Sequence, residues 1–333
     1  MRLILDPAVR LYDGGRVLAA RGRIIRLTEE GPGALRALLA DTASPAQQRL
    51  GERLLDAGFA HPRPAPKRVD VTVVIPVKDG PILAPVDERT IVVDDGSASP
   101  IPGAIRRDRC GGPAAARNTG LDHASTELVA FLDADTLPPP DWTERLAGHF
   151  DDPRVTAVAP RIRAANRRRS PLDLGPDRNQ PYVPSAALIV RTPVRFDEGL
   201  RYGEDVDLVW RLLDAGHRVV YDPSVVVLHH ESHVMRRRFA YGTSAAPLAA
   251  RHPGRLRHVA FSRPRPFALA RTLHEKGVPR RLALTWTLQS LGQSARGLRN
   301  LLSPYGIGVL WGRIRGLPTI SPPSIRERDQ TTH

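Results

Sequence analysis

Two aspartates, Asp133 and Asp135, follow the strongly apolar run Leu128–Leu132. This run predicts a buried strand, and strand residues two apart point the same way. The two carboxylates would repel each other unless a cation bridges them or a ligand hydroxyl takes one. Hard oxygen ligands favour Mg²⁺ or Mn²⁺, and such an ion can neutralise a leaving diphosphate as a Lewis acid. Taken alone, the pair is also compatible with an ordinary strand-to-loop turn.

A second acidic pair, Glu204 and Asp205, begins the predicted helix Val206–Ala215. A carboxylate at the head of a helix that faces a sugar can deprotonate an acceptor hydroxyl as it attacks the anomeric carbon. The competing interpretation is an ordinary acidic helix start, which the helix dipole stabilises. The sequence around the pair does not decide between these interpretations.

Nucleotide-binding chemistry is indicated at two further strand ends. Asp94 and Asp95 follow the apolar run Ile91–Val93, where a carboxylate can accept hydrogen bonds from a base or a ribose hydroxyl. Gly96 permits the tight turn that lets a ligand approach the backbone. Asp79 follows the valine-rich run Val71–Val77 in the same way. Each segment alone is also typical of a surface turn.

A diphosphate site is predicted in the small-residue segment Gly111–Gly120. Small residues begin a helix here, so backbone amides and the positive end of the helix would face the ligand. Arg117 can add a charge-assisted contact to a phosphate. The alternative is an arginine on the surface of an ordinary helix.

The elements that position these side chains alternate between strand and helix, which predicts a doubly wound, mostly parallel α/β sheet. Ligands of such sheets bind outside the carboxyl ends of the strands, so the four segments should converge on one crevice. The segment from Lys78 to Thr90 leaves room for only a very short helix. The predicted strands are Val71–Val77, Ile91–Val93, Leu128–Leu132, Val155–Pro160, Ala186–Val190 and Ser224–Leu228, and the predicted helices are Pro113–His123, Asp141–Phe150 and Val206–Ala215.

Residues 1–60 are predicted to form a separate small unit of strands followed by helices. Asp13-Gly14-Gly15 predicts a turn between two short strands, and Ser44-Pro45 predicts the start of a helix. A proline-rich linker, residues 61–69, separates this unit from a main domain over residues 70–241. Residues 242–333 are predicted to form a basic and largely helical extension.

Together with Gly203–Leu208, these segments resemble the inverting GT-A glycosyltransferases of family 2, from about Asp70 to Tyr241. The resemblance implies a GT-A fold, a nucleotide-sugar donor and a divalent metal. It implies that Asp133 touches the ribose, that Asp205 is the catalytic base beside Glu204, and that Asp135 ligates the metal. The residues that it places at the nucleoside are Pro76, Val77, Asp79 and Asp95 or its neighbour Asp94. His229 completes the metal shell in this resemblance, with His230 and His233 as rivals.

A finer resemblance, to the glycosyltransferases of the mycofactocin system, rests on Asn179–Ala187, Tyr241–Leu248 and Gly112–Gly120. It implies that glucose, from UDP-glucose, is added in β-linkage to a small, peptide-derived redox cofactor. Residues 1–60 resemble the small PqqD-like winged-helix modules that recognise such peptides. The alternatives are a family 2 enzyme with a polysaccharide or lipid acceptor, and a nucleotidyltransferase.

The net charge of +14 lies entirely in the segment from Glu231 to Ile320, which has 16 Lys and Arg against two acids. With Trp286 and Trp311 among the arginines, this segment predicts a loose tether to an anionic membrane surface. Nucleic acid is not an expected partner, because no binding motif accompanies the charge. One cysteine and no apolar run of 18 residues predict a cytoplasmic protein, peripheral at the inner face of the membrane.

Overall fold

The computed structural model describes residues 2–168, 170–232 and 240–255. An eight-stranded mixed sheet lies at its centre, in the order β10-β13-β11-β12-β9-β6-β7-β8. Its strands are β6 (Val71–Val77), β7 (Thr90–Asp94), β8 (Ile105–Arg106), β9 (Leu128–Leu132), β10 (Thr136–Leu137), β11 (Val155–Ala164), β12 (Ala187–Arg191) and β13 (Arg218–His229). Six of the eight run in one direction, and only β10 and β12 are antiparallel to their neighbours. The predicted mostly parallel α/β sheet is therefore confirmed.

Helices cover both faces of this sheet, as α3 (Pro113–His123), α4 (Trp142–Ala147) and α5 (Glu204–Asp214). Two buried apolar clusters result, one on each face, because β6 and β9 contribute alternate side chains to both.

The packing of α3 on β6 requires a glycine at position 120. A Cβ added to Gly120 would lie 2.2 Å from Cγ1 of Val74, which is far inside van der Waals contact.

Two helix predictions differ from the structure, and β11 and β13 are longer than the predicted strands Val155–Pro160 and Ser224–Leu228. The structure describes every residue from Lys78 to Thr90, and none of them is helical, where a very short helix was predicted. Gly80, Pro81 and Pro85 explain the difference, because proline removes backbone donors and glycine weakens helices. The helix predicted over Asp141–Phe150 is α4 followed by the 3₁₀ turn Gly148–Asp151.

Residues 3–62 form a small unit with its own apolar core around Leu18, Leu54 and Phe59. Its elements are β1 (Leu3–Leu5), β2 (Arg10–Tyr12), β3 (Val17–Ala20), β4 (Arg23–Arg26), α1 (Gly31–Leu39), α2 (Pro45–Asp56) and β5 (Ala60–Pro62). Ser44 caps α2 in a capping box with Gln47, as the Ser-Pro start predicted. The first two residues of the predicted linker belong instead to β5, which pairs with β1. The winged-helix resemblance stays a prediction.

Polar contacts attach this unit to the main sheet. Asp6 is 2% exposed and accepts hydrogen bonds from His61 at 2.8 Å and from Asn179 at 2.9 Å. Asn179 also donates to the carbonyl of Gly58 at 3.0 Å. Arg218 of β13 forms ion pairs with the α2 carboxylates. The unit is therefore docked through the buried Asp6 on Asn179, which precedes β12, and through half-exposed ion pairs with β13.

After β13 the structure describes a helical stretch over residues 240–243 and then α6 (Ala245–Arg251), which packs on α5. His252 holds the two together through a hydrogen bond of 2.8 Å to Asp207. The remainder of the predicted basic extension, with Trp286 and Trp311, lies outside the described residues, so the membrane tether stays a prediction. Within the described ranges, no helix is long and apolar enough to cross a membrane.

Candidate active site

A cluster of possible metal ligands lies beyond the carboxyl end of β9. One ligand atom each from Asp133, Asp135 and His229 lie within 4.8 Å of one another. The two carboxylates are about one-third exposed, whereas the His229 side chain is 1% exposed. The antiparallel pairing of β10 with β13 places His229 opposite Thr136 and therefore beside Asp135. The sequence-predicted metal residues are thus adjacent in space.

The environment of His229 favours its charged form. Nε2 lies 3.2 Å from Oδ1 of Asp135, and Nδ1 lies 3.1 Å from Oε1 of Glu231. Burial lowers the pKa of the imidazole, but the contacts with Asp135 and Glu231 outweigh it and raise that pKa to about 10. A cation bound here would replace the proton on Nε2. Two carboxylates and one imidazole are a donor set that suits Mg²⁺ or Mn²⁺.

Arg117 joins the two acidic pairs that the sequence singled out. From α3, its guanidinium donates to Asp133 at 2.8 Å and to Glu204 at 2.9 Å. The residue is 3% exposed, so it is not the surface arginine of the alternative interpretation. Burial opposes the charge, but the carboxylates of Asp133, Glu204 and Asp205 raise the pKa of Arg117. A fixed positive charge therefore lies between the predicted metal site and the predicted base.

Glu204 and Asp205 are adjacent acidic residues in the first turn of α5. Desolvation, followed by the charge of Asp205, raises the pKa of Glu204 to about 7 against the opposing effect of Arg117. Desolvation also raises the pKa of Asp205, which accepts a hydrogen bond from the amide of Ser185 at 3.4 Å. Arg117 holds Glu204, whereas Asp205 accepts from the backbone amides of Ser185 and Val206, and the role of Asp205 as the base stays a prediction.

Asp94 and Asp95 are buried and bonded within the chain. Asp94 accepts hydrogen bonds from the amide of Ser97 at 2.8 Å and from Arg106 at 2.5 Å. The pKa of Asp94 is lowered to about 2, and hydrogen bonds with Ser97 are the main cause. Asp95 accepts from Arg107 and from the two glycine amides that precede α3. Both carboxylates thus shape the turns of the crevice, and their contact with a nucleoside stays a prediction.

The remaining predicted nucleoside residues line the end of β6. Val77 is 5% exposed, Pro76 is half-buried, and Asp79 is exposed. Asp79 has a φ of 51° and accepts a hydrogen bond from the amide of Ala98 at 2.6 Å. This contact ties the turn after β6 to the turn after β7. Backbone and side chains of both strand ends therefore form one wall.

The two rivals of His229 have different positions. His230 is the residue after β13, and the cluster found among the described residues consists of Asp133, Asp135 and His229 without it. Its backbone amide donates to the carbonyl of Asp135 at 2.9 Å and so supports the turn that carries this carboxylate. His233 lies outside the described residues. Of the described histidines, His229 is therefore the one placed to complete a metal shell.

Sequence reasoning missed two residues that support the site. Glu231 lies behind His229, and Arg107 lies behind Asp95. The spacing of His229 and Glu231 could have revealed the first, because extended residues two apart point the same way. No local signal pointed to Arg107, which reaches Asp95 across a loop.

The mixed α/β sheet with an acidic crevice at its strand ends is the arrangement expected of a GT-A glycosyltransferase. Residues 86–184 match the family described as glycosyl transferase family 2. A pre-mycofactocin glycosyltransferase of Mycobacterium tuberculosis is 37% identical to this chain, over 93% of this chain and 71% of the relative. The chain belongs to glycosyl transferase family 2. This membership decides against the nucleotidyltransferase alternative.

Two more distant proteins are also similar to this chain. The succinoglycan biosynthesis protein ExoO of Rhizobium meliloti is 25% identical over 48% of this chain and 57% of its own length. Among solved structures, a mannosyltransferase of Pyrobaculum calidifontis in complex with GDP-Man and Mn²⁺ is 17% identical. The match covers 85% of this chain and 95% of the mannosyltransferase, with a TM-score of 0.45.

Proposed function

We propose that this enzyme is a metal-dependent, inverting hexosyltransferase that moves glucose from UDP-glucose to a hydroxyl of a mycofactocin precursor. The observation that carries the proposal is the Arg117 bridge. One buried arginine pairs with Asp133, which belongs to the candidate metal cluster, and with Glu204, which precedes the proposed base Asp205. Donor and acceptor chemistry would therefore occur within one continuous crevice.

On the donor side, Asp135 and His229 would hold the divalent metal, and Asp133 would contact the ribose. The metal, when bound, supplies Lewis-acid neutralisation of the leaving diphosphate. Arg117 fixes Asp133 against the repulsion of the nearby acids. The nucleoside would be enclosed by the ends of β6 and β7, with Pro76, Val77, Asp79, Asp94 and Asp95.

On the acceptor side, Asp205 would take the proton of the attacking hydroxyl. Inversion requires a base on the face of the sugar opposite the leaving diphosphate. The raised pKa of Asp205 makes its carboxylate a stronger base than an exposed aspartate. Glu204 would keep Arg117 in place rather than touch the acceptor. The acceptor itself is proposed from the Mycobacterium tuberculosis relative, which is named for pre-mycofactocin.

A thermal-shift screen of nucleoside diphosphates tests the donor assignment. We expect UDP with Mn²⁺ to raise Tm more than UDP alone, and more than ADP, GDP or CDP with Mn²⁺. A ligand at about 100 times its Kd stabilises the folded state by about 2.7 kcal/mol. That free energy corresponds to a Tm increase of several degrees for a chain of this size. Equal shifts for all four diphosphates, or no effect of Mn²⁺, would contradict the assignment.

A second candidate acceptor is a growing polysaccharide. It is favoured by the similarity of this chain to the succinoglycan biosynthesis protein ExoO. That similarity covers about half of this chain, whereas the pre-mycofactocin enzyme aligns with 93% of it. Parallel transfer assays with a pre-mycofactocin acceptor and with a short glucan separate the two candidates.

A further inference from the structure

A buried carboxylate lies behind the candidate metal cluster and has no part in the mechanism above. Glu231, two residues after His229, is 4% exposed. Its Oε1 lies 3.1 Å from Nδ1 of His229, whereas Asp135 contacts the other ring nitrogen. The contact is an ion pair and not a linear hydrogen bond. Burying a carboxylate is costly unless it is paired, so its position needs a reason.

The loop after β11 holds Glu231 in place. The hydroxyl of Ser170 donates to Oε1 of Glu231. The side chain of Asn166 accepts from the amide of Glu231 at 3.0 Å and donates to its carbonyl at 3.2 Å. The amide of Ala165 in addition donates to the carbonyl of His229 at 2.8 Å. Backbone and side chain of Glu231 are therefore both fixed by residues of this loop.

We infer that Glu231 is a positioning residue that keeps the proton of His229 on Nδ1 and presents Nε2 to the metal. The inference rests on the proposed metal-dependent function. When a metal takes Nε2, the imidazole keeps its one proton on Nδ1, and the carboxylate of Glu231 beside Nδ1 stabilises that proton. Nε2 is then the ligand atom, and it is the atom that faces Asp135. Ser170 does not contact His229 in this account; its hydroxyl orients the carboxylate of Glu231.

The loss of the Glu231 contact should lower the affinity for the metal, and this can be measured without an activity assay. Partners of ligating histidines typically change metal affinity by about 10- to 100-fold when they are replaced. Glu231→Gln keeps the size of the side chain and removes its charge, so we expect Mn²⁺ affinity to fall by about tenfold or more. Ser170→Ala leaves the carboxylate in place and removes its anchor, so we expect a smaller loss in the same direction.

Mn²⁺ titration followed by electron paramagnetic resonance, without donor or acceptor, measures these changes on the whole chain. Glu127→Gln is the matched control, because this exposed carboxylate precedes β9 at the opposite end of the strand from the cluster. We expect its Mn²⁺ affinity to equal that of the unmodified protein. UDP affinity in the absence of metal should be unchanged in all three variants, which separates a metal effect from general damage to the crevice.

A fourth variant, His229→Ala, distinguishes failure of this inference from failure of the proposed function. If His229→Ala weakens Mn²⁺ binding while Glu231→Gln and Ser170→Ala do not, Glu231 has no positioning role and the metal site stands. If His229→Ala also leaves Mn²⁺ affinity unchanged, the metal site itself is wrong and the inference fails with it. Parallel losses in His229→Ala and Glu231→Gln, with the smaller loss in Ser170→Ala, support the inference.

Discussion

Replacement of Asp205 by Asn should reduce turnover by a factor on the order of 10²–10⁴ and leave donor binding nearly intact. The amide keeps the size of the side chain and can still accept from the Ser185 amide, but it cannot take a proton. Steady-state transfer kinetics, together with calorimetry of UDP binding, measure the two effects separately. The matched control is Asp214→Asn at the other end of α5, where the carboxylate is 56% exposed and paired with Arg255.

The pH profile gives a second expectation for the same residue. A base must be deprotonated to act, and the raised pKa of Asp205 moves the acidic limb of the profile upward from that of an exposed aspartate. Turnover of the unmodified enzyme should therefore rise with pH through that limb. If Asp205→Asn turns over as fast as the unmodified enzyme, Asp205 is not the base.

Replacement of Asp135 by Ala should abolish the Mn²⁺ enhancement of UDP binding. The change removes one proposed ligand and also the carboxylate that lies 3.2 Å from Nε2 of His229. Lewis-acid stabilisation of a leaving group contributes several kcal/mol, so transfer should fall by about 10³-fold. Calorimetric titration of UDP with and without Mn²⁺ measures the binding effect.

The matched control for that experiment is Asp141→Ala. This aspartate precedes α4, its side chain is 57% exposed, and it lies 4.0 Å from the guanidinium of Arg145. We expect its Mn²⁺ enhancement to equal that of the unmodified enzyme. A Mn²⁺ enhancement that persists in Asp135→Ala would show that the metal is held elsewhere or is not needed for donor binding.

The central strands, and the grouping of polar residues at their carboxyl ends, could be predicted from short stretches of sequence. The valine-rich and apolar runs that became β6 and β9 have the composition of strands buried on both faces. Because such strands place their carboxyl ends together, the positions of Asp133, Asp135 and Arg117 could be predicted as neighbours. The helix start at Pro113 followed from proline and small residues at its first turn.

Contacts between distant parts of the chain could not be predicted in the same way. The bridge from Arg117 to Glu204 joins residues 87 positions apart, and no local pattern encodes such a pair. The docking of Asp6 on Asn179 likewise depends on the tertiary arrangement of two distant segments.

The roles of Asp94 and Asp95 had to be assigned by resemblance for the same reason. Their intrachain donors, Arg106 and Arg107, became evident only once β8 was placed beside β7. A carboxylate that is already bonded within the chain has fewer lone pairs left for a ligand, and the sequence alone does not report such bonding.

The stereochemistry of transfer tests the central claim most directly. The enzyme is incubated with UDP-α-glucose, Mn²⁺ and a pre-mycofactocin acceptor, and the H1–H2 coupling of the new glycoside is measured by NMR. Attack on the face opposite the diphosphate, with Asp205 as base, predicts a single β-linked glucose. An α-linked product would contradict the inverting mechanism and the role of Asp205 with it.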